Sequence, residues 1–130
     1  MGKRILIIDR NERLRTILAS ELQSEGYETV AVAGPQESFE QLAAAKFDLV
    51  IADPFSKEYG GKKDTEAAEF LKKFSEMRPH PRIIVLTGFA ELGNAIECHK
   101  HGVDDFVSKP HDLIDLLTTM ERVLSYDDPA

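Results

Sequence analysis

Hydrophobic and polar residues follow two alternating patterns along the chain. Short apolar runs rich in Val and Ile occur at 4–8, 48–52, 82–86 and 104–107, with a weaker run at 28–33. Continuous runs of this length are typical of strands that are covered on both faces of a parallel sheet. Between these runs the apolar residues follow helical spacing. The pattern therefore predicts five strands that alternate with five helices.

Each predicted helix has a boundary signal, and four of them have a clear apolar stripe. The boundary signals are Asn11 and Gly26 around the first helix, Pro35 at the start of the second, Asp64 and Pro79 around the third, Gly102 at the end of the fourth (about 90–101), and Pro110 at the start of the fifth. The stripes expected to face inward are Leu14, Ile17, Leu18 and Leu22; Phe39, Leu42 and Ala43; Ala67, Phe70, Leu71 and Phe74; and Leu113, Leu116, Leu117, Met120 and Leu124.

Strict alternation of strand and helix implies parallel strands, right-handed crossovers and helices on both faces of the sheet. Ligands of such sheets bind beyond the carboxyl ends of the strands. At these ends the first strand leads into Asp9, the third into Asp53, the fourth contains Thr87 and the fifth leads into Lys109. Two acids, a hydroxyl and an amine are therefore expected to meet at one edge of the sheet, called here the rim.

Composition narrows the class of protein. The 130 residues fit one domain with a real core, and a net charge of −7 argues against a nucleic-acid or anionic-membrane surface. The single cysteine, Cys98, excludes an internal disulfide and a zinc cluster, and it fits a reducing cytoplasm. The first apolar run is too short for a signal peptide or a membrane anchor. We therefore expect a small, acidic, cytoplasmic domain.

Several segments together resemble a response-regulator receiver domain, the phosphoaspartate switch of two-component signalling. They are ILIIDRNERLR, FDLVIAD, Gly61, IIVLTGFAE, the stretch 95–102, DDFVSKP and the closing amphipathic helix. The resemblance covers nearly the whole chain in the right order. It implies an α/β fold of the flavodoxin-like receiver topology, a doubly wound (βα)5 sheet with strand order 2-1-3-4-5. We expect this domain to cover 1–125, with 126–130 as a short tail.

The resemblance also implies roles for four rim residues. Asp53 matches the aspartate that takes a phosphoryl group from a histidine kinase or phosphotransfer protein, and Lys109 matches the lysine that pairs with the phosphate. Thr87 matches the hydroxyl that moves to the phosphate, and Phe106 matches the aromatic side chain that rotates in response. The bond from Lys109 to Pro110 is typically cis in this family. Such a protein is a switch and not an enzyme, beyond removing its own phosphoryl group.

Plainer structural roles exist for the same residues. Asp53 could begin a turn, Thr87 could cap the fourth helix, Lys109 could be solvated and Phe106 could belong to the core. Their joint placement at the rim favours the functional interpretation, least firmly for Phe106. The histidines are expected to be structural, and Cys98 to be a small buried helix residue.

Arg10 departs from the family pattern, in which two adjacent acids normally stand at 9 and 10 and the second coordinates Mg²⁺. The resemblance implies a magnesium site at Asp9, Asp53 and Phe55, which Arg10 is expected to weaken or abolish. Mg²⁺ requires oxygen ligands, and Arg10 removes one while adding a positive charge. Two unit charges about 4 Å apart interact by roughly 4 kcal/mol at an effective dielectric near 20.

Two hypotheses follow for Arg10. Its guanidinium could occupy the place of the metal and pair with Asp53, which would make a metal-independent or permanently configured site. Alternatively, Arg10 could point outward while Glu12 or Asp9 supplies the missing oxygen to a weakened metal site.

The loop 54–63 is the second departure. The family commonly has a proline four residues after the phosphoacceptor, where this chain has Lys57, and the segment is a few residues longer than usual. The glycines and lysines at 60–63 predict a mobile, basic loop. It could gate the site or supply positive charge to a phosphate, although a solvated loop is the expected state.

Three function classes remain. The leading one is a phosphorelay receiver that accepts a phosphoryl group on Asp53 and binds an effector through its fourth helix, fifth strand and fifth helix. The alternative is a pseudo-receiver that binds proteins without Mg²⁺-dependent phosphorylation because of Arg10. An unrelated (βα)5 enzyme or nucleotide binder is disfavoured, since no glycine-rich phosphate loop follows the first strand. Nucleic acid and membrane are not expected as partners of this domain.

Overall fold

The computed structural model of the chain describes residues 2–55 and 65–126. The strands are β1 (Arg4–Ile8), β2 (Glu28–Val32), β3 (Leu49–Ala52), β4 (Ile83–Thr87) and β5 (Asp105–Ser108). The helices are α1 (Glu12–Ser24), α2 (Pro35–Ala44), α3 (Thr65–Glu76), α4 (Leu92–Lys100) and α5 (Leu113–Leu124). All strand pairs are parallel and the order is β2-β1-β3-β4-β5, which confirms the predicted fold class and strand order.

The core forms two layers, one on each face of the sheet. In β1, Leu6 and Ile8 pack in the layer with α2, α3 and α4, while Ile5 and Ile7 pack in the layer with α1 and α5. Successive side chains of a strand point to opposite faces, so covering both faces requires the unbroken apolar run seen in the sequence. Burial on both sides also fixes the register. The carboxyl ends of β1, β3 and β4 consequently lie together at the rim.

Most helix boundaries follow the predicted signals. The side chain of Asn11 accepts a hydrogen bond from the backbone N–H of Leu14 and caps α1. Pro35 is the first residue of α2. Gly26 and Gly102 follow α1 and α4 with φ angles of +92° and +74°, a region that favours glycine. The expected cap at Asp64 lies outside the described residues.

Three details of the helices were predicted wrongly. Leu14 and Ile17 of α1 are 42% and 45% exposed, because only the stripe of Leu18 and Leu22 reaches the sheet. The α2 residue Ala43 is exposed.

The buried residue of α2 is instead Ser38, whose hydroxyl donates a hydrogen bond to the Pro35 carbonyl at 2.6 Å. Helix α5 begins at Leu113 and not at Pro110, because the carboxylate of Asp112 caps it by accepting from the N–H of Asp115 at 3.1 Å.

Other expectations are confirmed. All four residues of the α3 stripe are buried, and so is Cys98, whose thiol has its pKa raised to about 12 by burial. The Lys109–Pro110 peptide bond is cis. Among the described residues, no helix is both long and apolar enough to cross a membrane.

Candidate functional site

Backbone hydrogen bonds continue the sheet one residue beyond its strands and place the rim residues. The N–H of Asp53 donates to the carbonyl of Ile8 at 2.9 Å, and the N–H of Asp9 donates to that of Val32 at 3.1 Å. The N–H of Lys109 donates to the carbonyl of Thr87 at 2.9 Å. Residues from β1, β3, β4 and β5 are therefore held side by side by the sheet itself.

One ammonium group joins the two rim carboxylates. The Nζ of Lys109 lies 2.5 Å from Oδ2 of Asp9 and 2.9 Å from Oδ2 of Asp53. The three side chains are only 17%, 13% and 10% exposed. Such charge-assisted hydrogen bonds are strong where water is largely excluded. The structure therefore brings together the two acids and the amine that the sequence predicted to meet.

Backbone donors orient the second oxygen of each carboxylate. The N–H of Asn11 donates to Oδ1 of Asp9 at 2.8 Å, and the N–H of Phe55 donates to Oδ1 of Asp53 at 3.2 Å. Arg15, which the sequence analysis did not single out, donates to the Asp9 carbonyl at 2.8 Å. Each rim carboxylate is thus held at both oxygens, which fixes the direction in which it faces.

Burial and neighbouring charges act in opposite directions on the ionisable groups. The pKa of Asp53 is raised above its usual value, mainly by burial and to a smaller extent by the charge of Asp9. The hydrogen bond and charge of Lys109 and a hydrogen bond from Thr87 lower this pKa, but they do not cancel the rise. For Lys109, burial lowers the pKa, but the hydrogen bonds and charges of both carboxylates raise it above its usual value. Lys109 is consequently a permanent cation at neutral pH.

Thr87 and Phe106 lie in different surroundings. Thr87 is fully buried, and its hydroxyl accepts a hydrogen bond from the N–H of Phe89 at 3.1 Å. Hydrogen bonding by Thr87 also lowers the pKa of Asp53. Phe106 is half-buried and packs against the core layer that contains Val85. The hydroxyl therefore belongs to the polar rim, and the aromatic ring belongs to the packed layer beside it.

Arg10 pairs with an acid that the sequence analysis did not identify. Its Nη2 lies 2.7 Å from Oε1 of Glu66, in the first turn of α3, and these side chains are 44% and 49% exposed. Asp53 pairs with Lys109 instead, so the hypothesised pair between Arg10 and Asp53 is not formed in this structure. Glu12, the other candidate oxygen donor, is exposed in the first turn of α1.

The described residues of the rim offer few possible ligands for a divalent ion. Asp9 and Asp53 offer carboxylate oxygens, whereas Phe55 can offer only its backbone carbonyl. Within residues 2–55 and 65–126, no group of three or more His, Cys, Asp or Glu side chains is placed to hold a metal. The two carboxylates already share the Lys109 ammonium, and the residue at the position of the family's other acid is Arg10, whose guanidinium pairs with Glu66. These residues fit Mg²⁺ poorly.

The family model of the response regulator receiver domain matches residues 5–121 of the chain. The chain belongs to this family. Receiver domains act as phosphoacceptor switches and in general not as enzymes, they typically bind Mg²⁺ at the phosphorylation site, and they work with histidine kinases or phosphotransfer proteins.

Curated relatives are longer regulators. The phosphate regulon transcriptional regulatory protein PhoB of Pseudomonas aeruginosa is 30% identical over 130 residues, which cover 100% of this chain and 55% of that protein. The transcriptional regulatory protein ZraR of Escherichia coli K12 is 28% identical over 122 residues, covering 94% of this chain and 26% of that protein. The chain thus spans between about a quarter and about half the length of these relatives.

Solved structures agree with the fold. A CheY-like receiver domain protein from Methanospirillum hungatei is 30% identical, with a TM-score of 0.81, and the match covers 95% of this chain and 94% of that one. A response regulator from Thermotoga maritima, at 23% identity, has a TM-score of 0.82 over 97% of this chain and 100% of that one, and it supports the fold alone.

Proposed function

We propose that this receiver domain accepts a phosphoryl group on Asp53 from a histidine kinase or phosphotransfer protein. The observation that carries the proposal is the Lys109 ammonium shared by Asp9 and Asp53 at the rim. A buried cation beside a fixed carboxylate is the arrangement that transfer of a charged group requires. The proposed domain covers 1–125, followed by a short tail.

The transfer itself needs one nucleophile and one leaving group. An oxygen of the Asp53 carboxylate attacks the phosphorus of a phosphohistidine, the new P–O bond forms and the P–N bond breaks. The histidine nitrogen leaves with the electron pair and takes up a proton. Lys109 and the hydroxyl of Thr87 then donate to the phosphoryl oxygens. The bond that forms, the bond that breaks and the leaving nitrogen together balance the step in atoms and electrons.

The added charge of about −2 is the signal. We propose that it draws the Thr87 hydroxyl and changes the packing of Phe106, so that the surface of α4, β5 and α5 switches partners. β5 is an edge strand, and the flanking helices expose Leu92 (78%), Ile96 (57%) and Ile114 (75%). Exposed aliphatic side chains of this size suit binding of an effector domain or protein.

Labelling with a small phosphodonor tests the proposal. Incubation with acetyl phosphate or phosphoramidate is expected to add one phosphoryl group, detected by intact-protein mass and assigned to Asp53 by peptide mapping. Asp53→Asn is expected to abolish the label. The matched control Asp115→Asn, which neutralises an exposed acid in α5, is expected to keep it. A label that persists in Asp53→Asn contradicts the assignment.

The pseudo-receiver is the second candidate, because Arg10 and the poor fit to Mg²⁺ favour it specifically. In that case the α4–β5–α5 surface binds its partner without any phosphoryl group. The same experiment separates the two candidates: absence of label at every Mg²⁺ concentration, with a folded protein, supports the pseudo-receiver.

A further inference from the structure

We infer that Arg10 is an exchangeable cation, which leaves Glu66 and contacts the phosphoryl group on Asp53. Its positive charge there takes the place of the metal ion, because the residues of this chain fit Mg²⁺ poorly. The inference rests on the proposed function. It assigns Arg10 a direct role at the phosphoryl group, and it makes Glu66 a positioning residue that holds Arg10 ready at the rim.

The position of the ion pair supports this role. Arg10 follows Asp9 in the loop that leads to α1, which packs on one face of the sheet, whereas Glu66 begins α3 on the opposite face. The pair between them therefore crosses the rim. The two strands that lead into Asp9 and Asp53, β1 and β3, are neighbours in the sheet. Arg10 therefore lies just beyond the end of one strand, and the neighbouring strand leads into the phosphoacceptor.

The charges at the rim leave a need for another cation. Before transfer, the single charge of Lys109 faces two carboxylates. Afterwards it faces Asp9 and a phosphoryl group of about −2. The planar fork of an arginine matches phosphate oxygens and can donate two hydrogen bonds to them. Of the described cations, Arg10 is the one adjacent in sequence to a rim carboxylate and already paired across the rim.

Breaking the existing pair costs little. Both side chains of the Arg10–Glu66 pair are close to half-exposed, so water and salt screen their attraction. Glu66 also stands in the first turn of α3, where the helix dipole favours a negative charge even without a partner. The exchange therefore replaces a weak, screened contact with a contact to a doubly charged group.

Measuring the adduct with and without a divalent ion tests the inference. Wild-type protein is given beryllofluoride, observed by fluorine NMR, or acetyl phosphate, observed by intact mass, in EDTA and in excess Mg²⁺. We expect the adduct to form in EDTA. Arg10→Asp is expected to lower the EDTA adduct about tenfold or more, the scale of one lost charge-assisted hydrogen bond, and to make it depend on Mg²⁺.

Two further variants and two controls sharpen the test. Arg10→Lys keeps the charge without the fork, so an intermediate yield in EDTA is expected. Glu66→Gln removes the competing acid and is expected to raise adduct affinity in EDTA by up to about fivefold, the scale of a surface ion pair. Matched controls are Glu69→Gln, an exposed acid one turn along α3, and Arg13→Asp, an exposed cation in α1. Neither control is expected to change the Mg²⁺ dependence.

The outcomes separate this inference from the proposed function. An adduct on Asp53 that forms only with Mg²⁺ in the wild type overturns the role of Arg10 and leaves the phosphoacceptor function standing. No adduct under any condition overturns both. An equal loss in Arg13→Asp and Arg10→Asp also overturns the inference, because it assigns the effect to net charge.

Discussion

Two cations at the same rim form ion pairs that differ mainly in their exposure to water. The Lys109 side chain is 17% exposed and bridges two carboxylates that are themselves nearly buried. The Arg10 side chain is 44% exposed and pairs with a single acid that is 49% exposed. The sequence predicts that both cations lie at the rim together with its acids. Burial is what makes one of them a fixed part of the site and leaves the other free to change partners.

The difference has an energetic basis. Removing one partner from a buried charge network leaves an uncompensated charge in a place where water cannot solvate it. When one partner of a surface pair is removed, water solvates the remaining charge almost as well as the lost partner did. Lys109 is therefore expected to be important for stability as well as for chemistry. Arg10 is expected to matter for chemistry with little effect on stability.

The largest predicted effect is that of Lys109→Met. It leaves the carboxylates of Asp9 and Asp53 close together without their shared cation, and we expect a loss of about 3 kcal/mol in the free energy of unfolding at neutral pH. Urea unfolding measures it. The control Lys72→Met removes an exposed lysine of α3, and a change within about 0.5 kcal/mol is expected. Equal effects of the two variants would remove the contrast between the pairs.

The pH dependence of this effect has a definite sign. The pKa of Lys109 is raised above its usual 10.5, so its stabilisation is fully present below that pH and is lost as the pH rises through the folded-state pKa. At acidic pH the Asp53 carboxylate, whose pKa is raised by burial, becomes protonated and no longer needs a cation. The stability gap between wild type and Lys109→Met is therefore expected to be widest near neutrality and to narrow on both sides. A gap that is independent of pH would contradict the charge mechanism.

A smaller effect of opposite sign is predicted for Asp53→Asn. Because burial raises the pKa of Asp53, folding disfavours its charged form, and the neutral isostere is expected to stabilise the protein by about 1 kcal/mol at pH 7. The penalty of the wild type is absent below the usual pKa of 3.8, so the gain should disappear there. Unfolding curves at both pH values check this. Destabilisation by Asp53→Asn at neutral pH would count against it.

The smallest effect is predicted for the exposed pair. A double-mutant cycle with Arg10→Ala and Glu66→Ala is expected to give a coupling free energy below about 1 kcal/mol that weakens further with added salt. The corresponding cycle with Lys109→Met and Asp53→Asn should give a larger, less salt-sensitive coupling. Similar values in the two cycles would mean that burial does not distinguish the pairs.

Much of the fold was readable from the sequence because its signals are local. Apolar runs marked every strand to within one residue at either end. In the central strands β1, β3 and β4 these runs are unbroken, since covering both faces of a parallel sheet leaves little choice of residue. The meeting of Asp9, Asp53 and Lys109 also followed, because parallel strands end at one edge. Only the strand order and the roles of these residues needed the resemblance to a family.

Other features depend on tertiary geometry and left no local signal. The partner of Arg10 could not be predicted, since no spacing in the sequence connects Arg10 with Glu66. The one available signal was that Glu66 is an acid in the first turn of α3. The exposure of Leu14 and Ile17 depends on how α1 lies on the sheet. Both Pro110 and Asp112 are signals for the start of a helix, and α5 begins at Leu113 because Asp112 is the residue that caps it.

A crystal structure of the beryllofluoride complex, grown in EDTA, tests the contrast between the fixed and the exchangeable cation most directly. We predict that the guanidinium of Arg10 contacts the fluorines bound at Asp53 and has left Glu66, while Lys109 keeps its contact with Asp9. An Arg10 that still pairs with Glu66 beside a fully formed beryllofluoride group would contradict the account.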